Sequence, residues 1–400
     1  MFVIHNKDCF VRYLYLFFLC IISLGLENLQ AEIKYHVVEV PLVDNKTAIA
    51  THINENGLLV GQAATENEFG EKEGLTIGFI WNSRTGEQTI LRNKDHDVAI
   101  TGMNDHDEVI GYVVEDAYWN LGYGFIWNAE KGMQFLKKGE FQYACPVSIN
   151  NLGQIIGLRS SLKLGDDITL WEGKNVKSLE KEITKGLNAS WRPIPSFIND
   201  KSQILFLYKF DKEDWLDGQI DNAFIWDHSK RRYLSLFEEF DDIGEDDRVW
   251  LDLGGFNNQG DIVGKRERFY GYRKPSIFEA SIWNLDADKT TISLSPEFAN
   301  DSEDTINDIN DLRQVVGSYE KRVSNEEYNA FWEQHGFEKN DRYATIWDEQ
   351  KGLQNLNNLI DPSLGWLLIN ALSINNQGQI VGMGKKEGKT AGFLLLPISK

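Results

Sequence analysis

Short segments of aliphatic, aromatic and β-branched residues follow one another along the chain between small polar turns, and helical periodicity is nearly absent. One phrase recurs seven times: an apolar residue, Asn, two turn residues, usually Gly, a polar residue, two aliphatic residues and usually Gly again. Its Asn residues are Asn54, Asn104, Asn150, Asn199, Asn257, Asn310 and Asn375. Seven copies with one internal spacing identify an internal repeat.

Two more phrases follow each of these. A short apolar run ends in Trp81, Trp127, Trp171, Trp226, Trp283 and Trp347, and the seventh copy has Leu395 at that position. A third phrase closes the first six units and ends in Leu91, Leu136, Leu179, Leu236, Leu294 and Leu356. We expect the repeated Trp residues to fill the core between units and the repeated Asn residues to shape turns. Ligand stacking by the Trp residues and metal binding by the Asn residues are the alternatives.

These phrases predict four antiparallel strands in each unit, with Asn-x-x-Gly as the tight turn between the first two strands. Seven four-stranded units of roughly 45–60 residues each predict an all-β fold, namely a seven-bladed β-propeller with four-stranded blades. The units lie near residues 48–91, 98–136, 144–179, 191–236, 250–294, 305–356 and 368–396. An open β-solenoid is the competing architecture, and the variable spacing between units disfavours it.

The ends of the repeat region indicate how the ring closes. The last unit stops after its third strand, and the first unit is preceded by a spare strand at residues 32–42. We expect that strand to supply the missing outer strand of the last blade, which removes an exposed sheet edge. The fourth unit carries Ser202 and Phe206 where Gly is usual, which predicts a looser first turn.

The N-terminal segment has the layout of a secretory signal. Lys7 and Arg12 precede an apolar run at residues 13–26, and Ala31 offers a small residue before a cleavage point. We therefore assign residues 1–31 to a signal peptide and residues 32–400 to one propeller domain that is secreted or periplasmic. An uncleaved N-terminal anchor is the alternative, and no later stretch is long enough to span a bilayer.

The net charge of −20 limits the possible partners. An acidic surface without a basic stripe disfavours nucleic acid and anionic membrane surfaces, and it is compatible with glycans or cationic ligands. Cys145 is the one Cys after the signal, so no internal disulfide can form, and we expect it to be a small buried hydrophobe. We expect the protein to be a monomer.

The phrases resemble the HAF-type extracellular repeat family, in which Ile-Asn-x-x-Gly-Gln-Val-Val-Gly precedes an Ala-Phe-x-Trp strand. Residues 378–382 (GQIVG) and 223–226 (AFIW) match best, and the resemblance extends from Asn54 to Phe393. The His that gives the family its name is missing: Asn222 and Tyr343 stand before Ala223 and Ala344. The resemblance implies an exported bacterial repeat protein, and it implies no catalytic residues.

No cofactor or metal site is predicted, because the His residues are scattered and the acidic run at residues 238–247 lacks the spacing of a calcium loop. Catalytic motifs are also lacking, so we assign no catalytic residue. Aromatic residues of the long connections are instead the candidate ligand-binding residues. They are Trp119, Trp215, Tyr270, Tyr272, Phe331 and Trp332, with Trp191, Trp250 and Trp366 where loops enter the first strands.

The long connections, between second and third strands and between units, are expected to emerge on one face, here called the long-loop face. The sequence therefore predicts a binding or interaction module that holds a glycan or protein ligand on this face. A secreted hydrolase of glycans that uses loop carboxylates is the alternative. Two carboxyl groups about 5–10 Å apart in a funnel on that face would favour the hydrolase. A lining of neutral polar and aromatic groups would favour binding.

Overall fold

The computed structural model describes residues 33–66, 72–116, 121–187, 191–210, 220–227, 230–233, 248–269, 277–284, 291–294, 304–320 and 342–398. Most of them are in β-strands. Helical structure among them is limited to α1 (Glu180–Thr184) and two 3-10 turns, Leu356–Leu359 and Pro362–Leu364. The segment assigned to an export signal, residues 1–31, lies outside the described residues.

The strands are numbered β1 to β28 in chain order, and each repeat unit contributes a consecutive set. The first strands of the units are β2 (Thr47–Ile53), β6 (Val98–Met103), β10 (Tyr143–Ile149), β14 (Trp191–Ile198), β18 (Arg248–Phe256), β22 (Thr305–Ile309) and β26 (Trp366–Ile374). The second strands are β3 (Leu58–Glu66), β7 (Val109–Asp116), β11 (Gln154–Ser161), β15 (Ile204–Phe210), β19 (Asp261–Phe269), β23 (Val315–Glu320) and β27 (Ile380–Lys386).

The remaining strands complete the units. The third strands are β4 (Lys72–Asn82), β8 (Leu121–Asn128), β12 (Gly165–Glu172), β16 (Ile220–Asp227), β20 (Ile277–Asn284), β24 (Arg342–Asp348) and β28 (Lys389–Pro397). The fourth strands are β5 (Gln88–Leu91), β9 (Gly132–Phe135), β13 (Asn175–Ser178), β17 (Lys230–Tyr233), β21 (Thr291–Ser293) and β25 (Gly352–Asn355), and β1 (Tyr35–Glu39) precedes the first unit.

Consecutive strands of a unit pair antiparallel, but the hydrogen-bonded sheets number five among the described residues. Three sheets have four strands and two have eight. The second and third units join where Tyr123 of β8 lies parallel to Ala144 of β10, and the fourth and fifth join at β16 and β18. In the first junction Gly124 permits the close approach, because a Cβ atom there would lie 2.4 Å from the Ala144 carbonyl oxygen.

The outermost strand of the last sheet comes from the other end of the repeat region. Strand β1 pairs antiparallel with β28, with Tyr35 opposite Pro397 and Glu39 opposite Phe393. The Tyr35 side chain is buried in a cluster that includes Leu368 and Phe393 of the seventh unit. The strand therefore contributes both ladder hydrogen bonds and core surface to that sheet.

A β-bulge in every first strand explains the second Gly of the repeat phrase. The pairing of first and second strands shifts by one residue in all seven units, for example between Ala50 and His52. The bulge brings the first strand so close that a Cβ atom on Gly61 would lie 2.0 Å from the Ile49 carbonyl oxygen. In the fourth unit Phe206 takes this position opposite Pro195, fully buried.

The repeated Trp residues lie between units. Each of them packs in a cluster with aliphatic residues of the preceding unit: Trp283, for instance, packs with Leu205 and Ile225, and Trp81 packs with Val381 of the seventh unit. Their exposed fractions are at most 8%, except for the partly buried Trp127. The hydrophobic core is thus a set of layers that joins neighbouring sheets side by side.

Candidate functional site

The Asn-x-x-Gly turns converge at one end of the molecule and are hydrogen-bonded to one another. In each turn the Asn Oδ1 accepts the backbone N–H groups two and four residues later, as Asn150 does from Leu152 and Gln154. Its Nδ2 donates to the carbonyl oxygen of the Asn in the next turn. These bonds run from each turn to the next and from Asn375 back to Asn54, at 2.9–3.3 Å.

The polar residue that follows the turn in the repeat phrase, which is Gln in several units, belongs to the same network. Asn150 donates to Oε1 of Gln154 at 2.8 Å, and the equivalent bonds in the sixth and seventh units go to Gln314 and Gln379. The fourth residue of the turn is left-handed in all seven units, including Asp107, Ser202 and Arg313 where Gly is absent. The looser turn expected in the fourth unit is not found, because Asn199 makes the same bonds there.

A second series of bonds runs through the residues that follow these Asn residues. In each of these residues the backbone N–H donates to the side chain of the equivalent residue in the next turn, and the N–H of Asn376 donates to the Glu55 carboxylate. The members are Glu55, Asp105, Asn151, Asp200, Asn258, Asp311 and Asn376. They surround a polar space of about 200 Å³, and their acceptors are already used by neighbouring turns. This end of the molecule is therefore tied together by its own hydrogen bonds.

The opposite end of the sheets carries a larger cavity, between the second and third units. It encloses about 840 Å³. It is lined by Thr101, Tyr112, Leu121, Gln142, Tyr143, Cys145, Pro146, Val147, Leu158, Ser160, Ser161, Leu162, Gly165 and Asp166. The connection between β11 and β12, residues 162–164, is short and forms part of the rim, where the Leu162 side chain is fully exposed.

Apolar side chains make up much of this wall, together with two tyrosines and four neutral polar residues. The Tyr143 hydroxyl accepts a 2.7 Å hydrogen bond from Gln142, and its ring lies 6.1 Å from that of Tyr123. The Thr101 hydroxyl is buried without a hydrogen-bond partner in the described part of the chain. Because this oxygen has essentially no accessible surface, it lies behind the wall of the cavity and not on its surface.

Cys145 lines the cavity as a protonated thiol. Burial raises the pKa of Cys145, and the nearby Asp166 carboxylate raises it further despite the contact with the Gly122 carbonyl. The thiolate is the nucleophilic form of Cys, so this environment disfavours nucleophilic chemistry. Cys145 is 9% exposed and belongs to the wall as a small hydrophobe.

The sequence matches no protein-family model, and it matches none of the curated proteins. Solved structures are similar to it in fold. Oligogalacturonate lyase in complex with manganese superposes with a TM-score of 0.53 at 10% identity, over 92% of this chain and 97% of that chain. The β-propeller domain of the Trilobed protease from Pyrococcus furiosus gives 0.51 at 10% identity, over 89% and 99%. The polysaccharide lyase Uly1 gives 0.50 at 8% identity, over 92% and 100%.

This chain folds as a β-propeller. Identities this low show the fold alone, so the activities of those proteins do not carry over. Within the described ranges, no helix of this propeller is long and apolar enough to cross a membrane. The same ranges hold no group of three or more His, Cys, Asp or Glu residues that could bind a metal ion.

Most of the aromatic residues proposed from the sequence as ligand contacts cannot be placed. Trp119, Trp215, Tyr270, Tyr272, Phe331 and Trp332 lie outside the described residues, as does the acidic run at 238–247. Trp191 begins strand β14, where only its backbone is described.

The two remaining candidates pack against their own units. The Trp250 ring lies 6.0 Å from that of Phe269, and the Trp366 ring meets Phe393 edge-on at 6.4 Å. Lys386 lies over the Trp366 ring at 5.8 Å. Neither Trp lines the cavity between the second and third units, so the structure does not bring them together with it.

The residues that line the cavity were not proposed from the sequence as a site. Tyr112 and Tyr143 stand within strands, where a single Tyr is indistinguishable from a core residue. The connection at residues 162–164 is short, but so are those at residues 117–120 and 387–388, and its length alone therefore does not single out the third unit.

Proposed function

We propose that this propeller is a binding protein that holds a segment of a glycan in the cavity between its second and third units. The lining carries the proposal: two tyrosines, several hydroxyl and amide groups and apolar side chains surround about 840 Å³. Cavities of roughly 300–1,000 Å³ with this mixture are typical of small-ligand sites. Tyrosine rings offer flat apolar faces with a polar edge, which suit sugar rings.

The same lining favours binding over hydrolysis. Glycoside hydrolysis ordinarily needs two carboxyl groups on opposite sides of the scissile bond. The described wall of the cavity supplies one carboxylate, Asp166. The buried thiol of Cys145 is protonated and does not replace the second group. A non-catalytic role therefore accounts best for the groups present.

We also propose that the seven units are the seven four-stranded blades of one closed ring. The chain of Asn hydrogen bonds supports this, because it passes through seven turns and returns from Asn375 to Asn54. The pairing of β1 with β28 supports it too, since it gives the last unit a fourth strand. Hydrophobic clusters shared between the first and seventh units supply the apolar part of the closure.

Export is part of the proposal, on the basis of the charged and apolar pattern of residues 1–31. A secreted repeat protein of the HAF type, acting outside the cytoplasm, fits this pattern and the phrase repeats. N-terminal sequencing of the protein recovered from the exported fraction tests it. A mature chain that begins near residue 32 would support export, and one that retains Met1 would contradict cleavage.

The binding site is tested on purified protein with a glycan array followed by calorimetry. We expect Tyr112→Ala to weaken binding of a glycan found on the array by about tenfold or more, because an aromatic contact surface is lost. Phe135→Ala is the matched control, since Phe135 is 63% exposed and lies on β9 of the same unit outside the cavity. Equal affinity of the wild type and Tyr112→Ala would place the ligand elsewhere.

A further inference from the structure

The charge of the cavity is one-sided. Asp166 is the charged residue among the side chains described as lining it, and that set contains no Lys, Arg or His. One Asp166 oxygen accepts a 2.6 Å hydrogen bond from the Ser160 hydroxyl. None of the ion pairs formed by the described part of the chain involves Asp166. Among the described residues its negative charge is therefore not neutralised by an ion pair.

The neighbouring Asp167 differs in this respect. Its carboxylate forms a 2.7 Å salt bridge with Arg159 and accepts hydrogen bonds from Thr169 and Ser178. Burial opposes ionisation of Asp167, but these bonds outweigh it and lower its pKa. Asp167 is thus ion-paired within the protein, whereas its neighbour Asp166 lines the cavity.

The surroundings strengthen the negative potential. Burial raises the pKa of Glu180, and the charges of Asp167 and Asp166 raise it further, which shows that these carboxylates act on one another. The whole chain carries a net charge of −20. Complementary charge favours the encounter of a cation with such a site and disfavours an anion.

Resting on the proposed function, we infer that the cavity takes a saccharide with a protonated primary amine, whose ammonium group binds Asp166. Tyr112 and Tyr143 line the same wall, and aromatic rings attract cations through their faces. The Ser160 and Ser161 residues of the same wall carry hydroxyl groups that suit the polar groups of a sugar. Uronic acids, which carry carboxylates, are disfavoured by the same charge.

The test compares short oligosaccharides of glucosamine with the same chains fully N-acetylated, by calorimetry at low ionic strength. We expect the amine form to bind about twofold to fivefold more tightly, because Asp166 is exposed and its ion pair with an ammonium group is screened by solvent. Asp166→Asn should remove this preference, because the ammonium group then loses its carboxylate partner. Asp95→Asn, which removes an equal charge from an exposed residue, should retain the preference.

The outcomes separate this inference from the proposed function. Equal affinity for the two chains, or a preference retained in Asp166→Asn, overturns the amine assignment and leaves a glycan site. Binding of a short lysine peptide with no binding of either saccharide overturns the saccharide assignment. If neither chain binds and no other glycan binds on the array, the proposed function itself fails.

Discussion

Two half-buried titratable residues occupy the same place in different repeat units, and they should give stability opposite dependences on pH. His52 and Asp308 each stand two residues before the repeated Asn, next to the bulge of the first strand. Burial lowers the pKa of His52 to about 4 and raises the pKa of Asp308 to about 6, although Ile374, Ser373 and Ile309 donate hydrogen bonds to Asp308. Both shifts favour the neutral form.

The direction in which each residue changes stability with pH follows from proton linkage. Unfolded His52 binds a proton near pH 6.5 and folded His52 near pH 4, so its contribution to stability is lost as the pH falls through this interval. Unfolded Asp308 binds a proton near pH 3.8 and folded Asp308 near pH 6, so its unfavourable contribution at neutral pH is relieved over nearly the same interval. Each shift of about two units corresponds to at most about 3 kcal/mol.

In the wild type these two contributions nearly cancel, and single substitutions should separate them. We expect Asp308→Asn to lose up to about 3 kcal/mol of unfolding free energy, relative to wild type, between pH 7 and pH 4. His52→Gln should gain up to about the same amount over the same interval. The double variant should follow the wild-type profile, because both contributions are then absent.

Urea unfolding followed by tryptophan fluorescence at half-unit pH steps measures these profiles. Each variant is compared with the wild type at the same pH, so the contributions of the other carboxylates cancel. An Asp308→Asn profile parallel to that of the wild type from pH 4 to pH 7 would refute the reasoning for Asp308. The same result for His52→Gln would refute it for His52.

Three further substitutions test the packing and the hydrogen bonds of the repeat, each measured as the change in unfolding free energy. Gly61→Ala should destabilise by about 2 kcal/mol or more, because its Cβ would overlap the Ile49 carbonyl oxygen, whereas Gly102→Ala, with no atom nearer than 3.5 Å, should cost much less. Asn150→Ala should cost about 3 kcal/mol, because it leaves two N–H donors and the Asn199 carbonyl without their partner; a cost below about 1 kcal/mol would contradict a role for the bonds between turns. Trp283→Ala should cost roughly 3–5 kcal/mol through the cavity it leaves, and the exposed Phe135→Ala should be nearly neutral.

The repeat phrases contained most of the information that defines the strands. Asn-x-x-Gly predicted the turns because the side chain of Asn and the left-handed fourth residue are local features, readable without knowledge of the fold. The sequence did not reveal that Asn Nδ2 reaches the next turn, or that Gly61 lies too close to the Ile49 carbonyl oxygen of the facing strand to carry a Cβ atom. Both depend on how strands approach one another, which only the three-dimensional arrangement decides.

The two ends of the sheets differ for a reason that also bears on function. At the turn end the seven units use the same residues in the same way, so nearly every polar group there is bonded to its equivalent in the next unit. A site for one particular ligand needs groups that are left over by such regular bonding. The cavity between the second and third units has such a group in Asp166, which belongs to no repeated pattern, and the connection at residues 162–164 is shorter than most of its counterparts. Departure from the repeat is therefore the physical ground for placing function at this end.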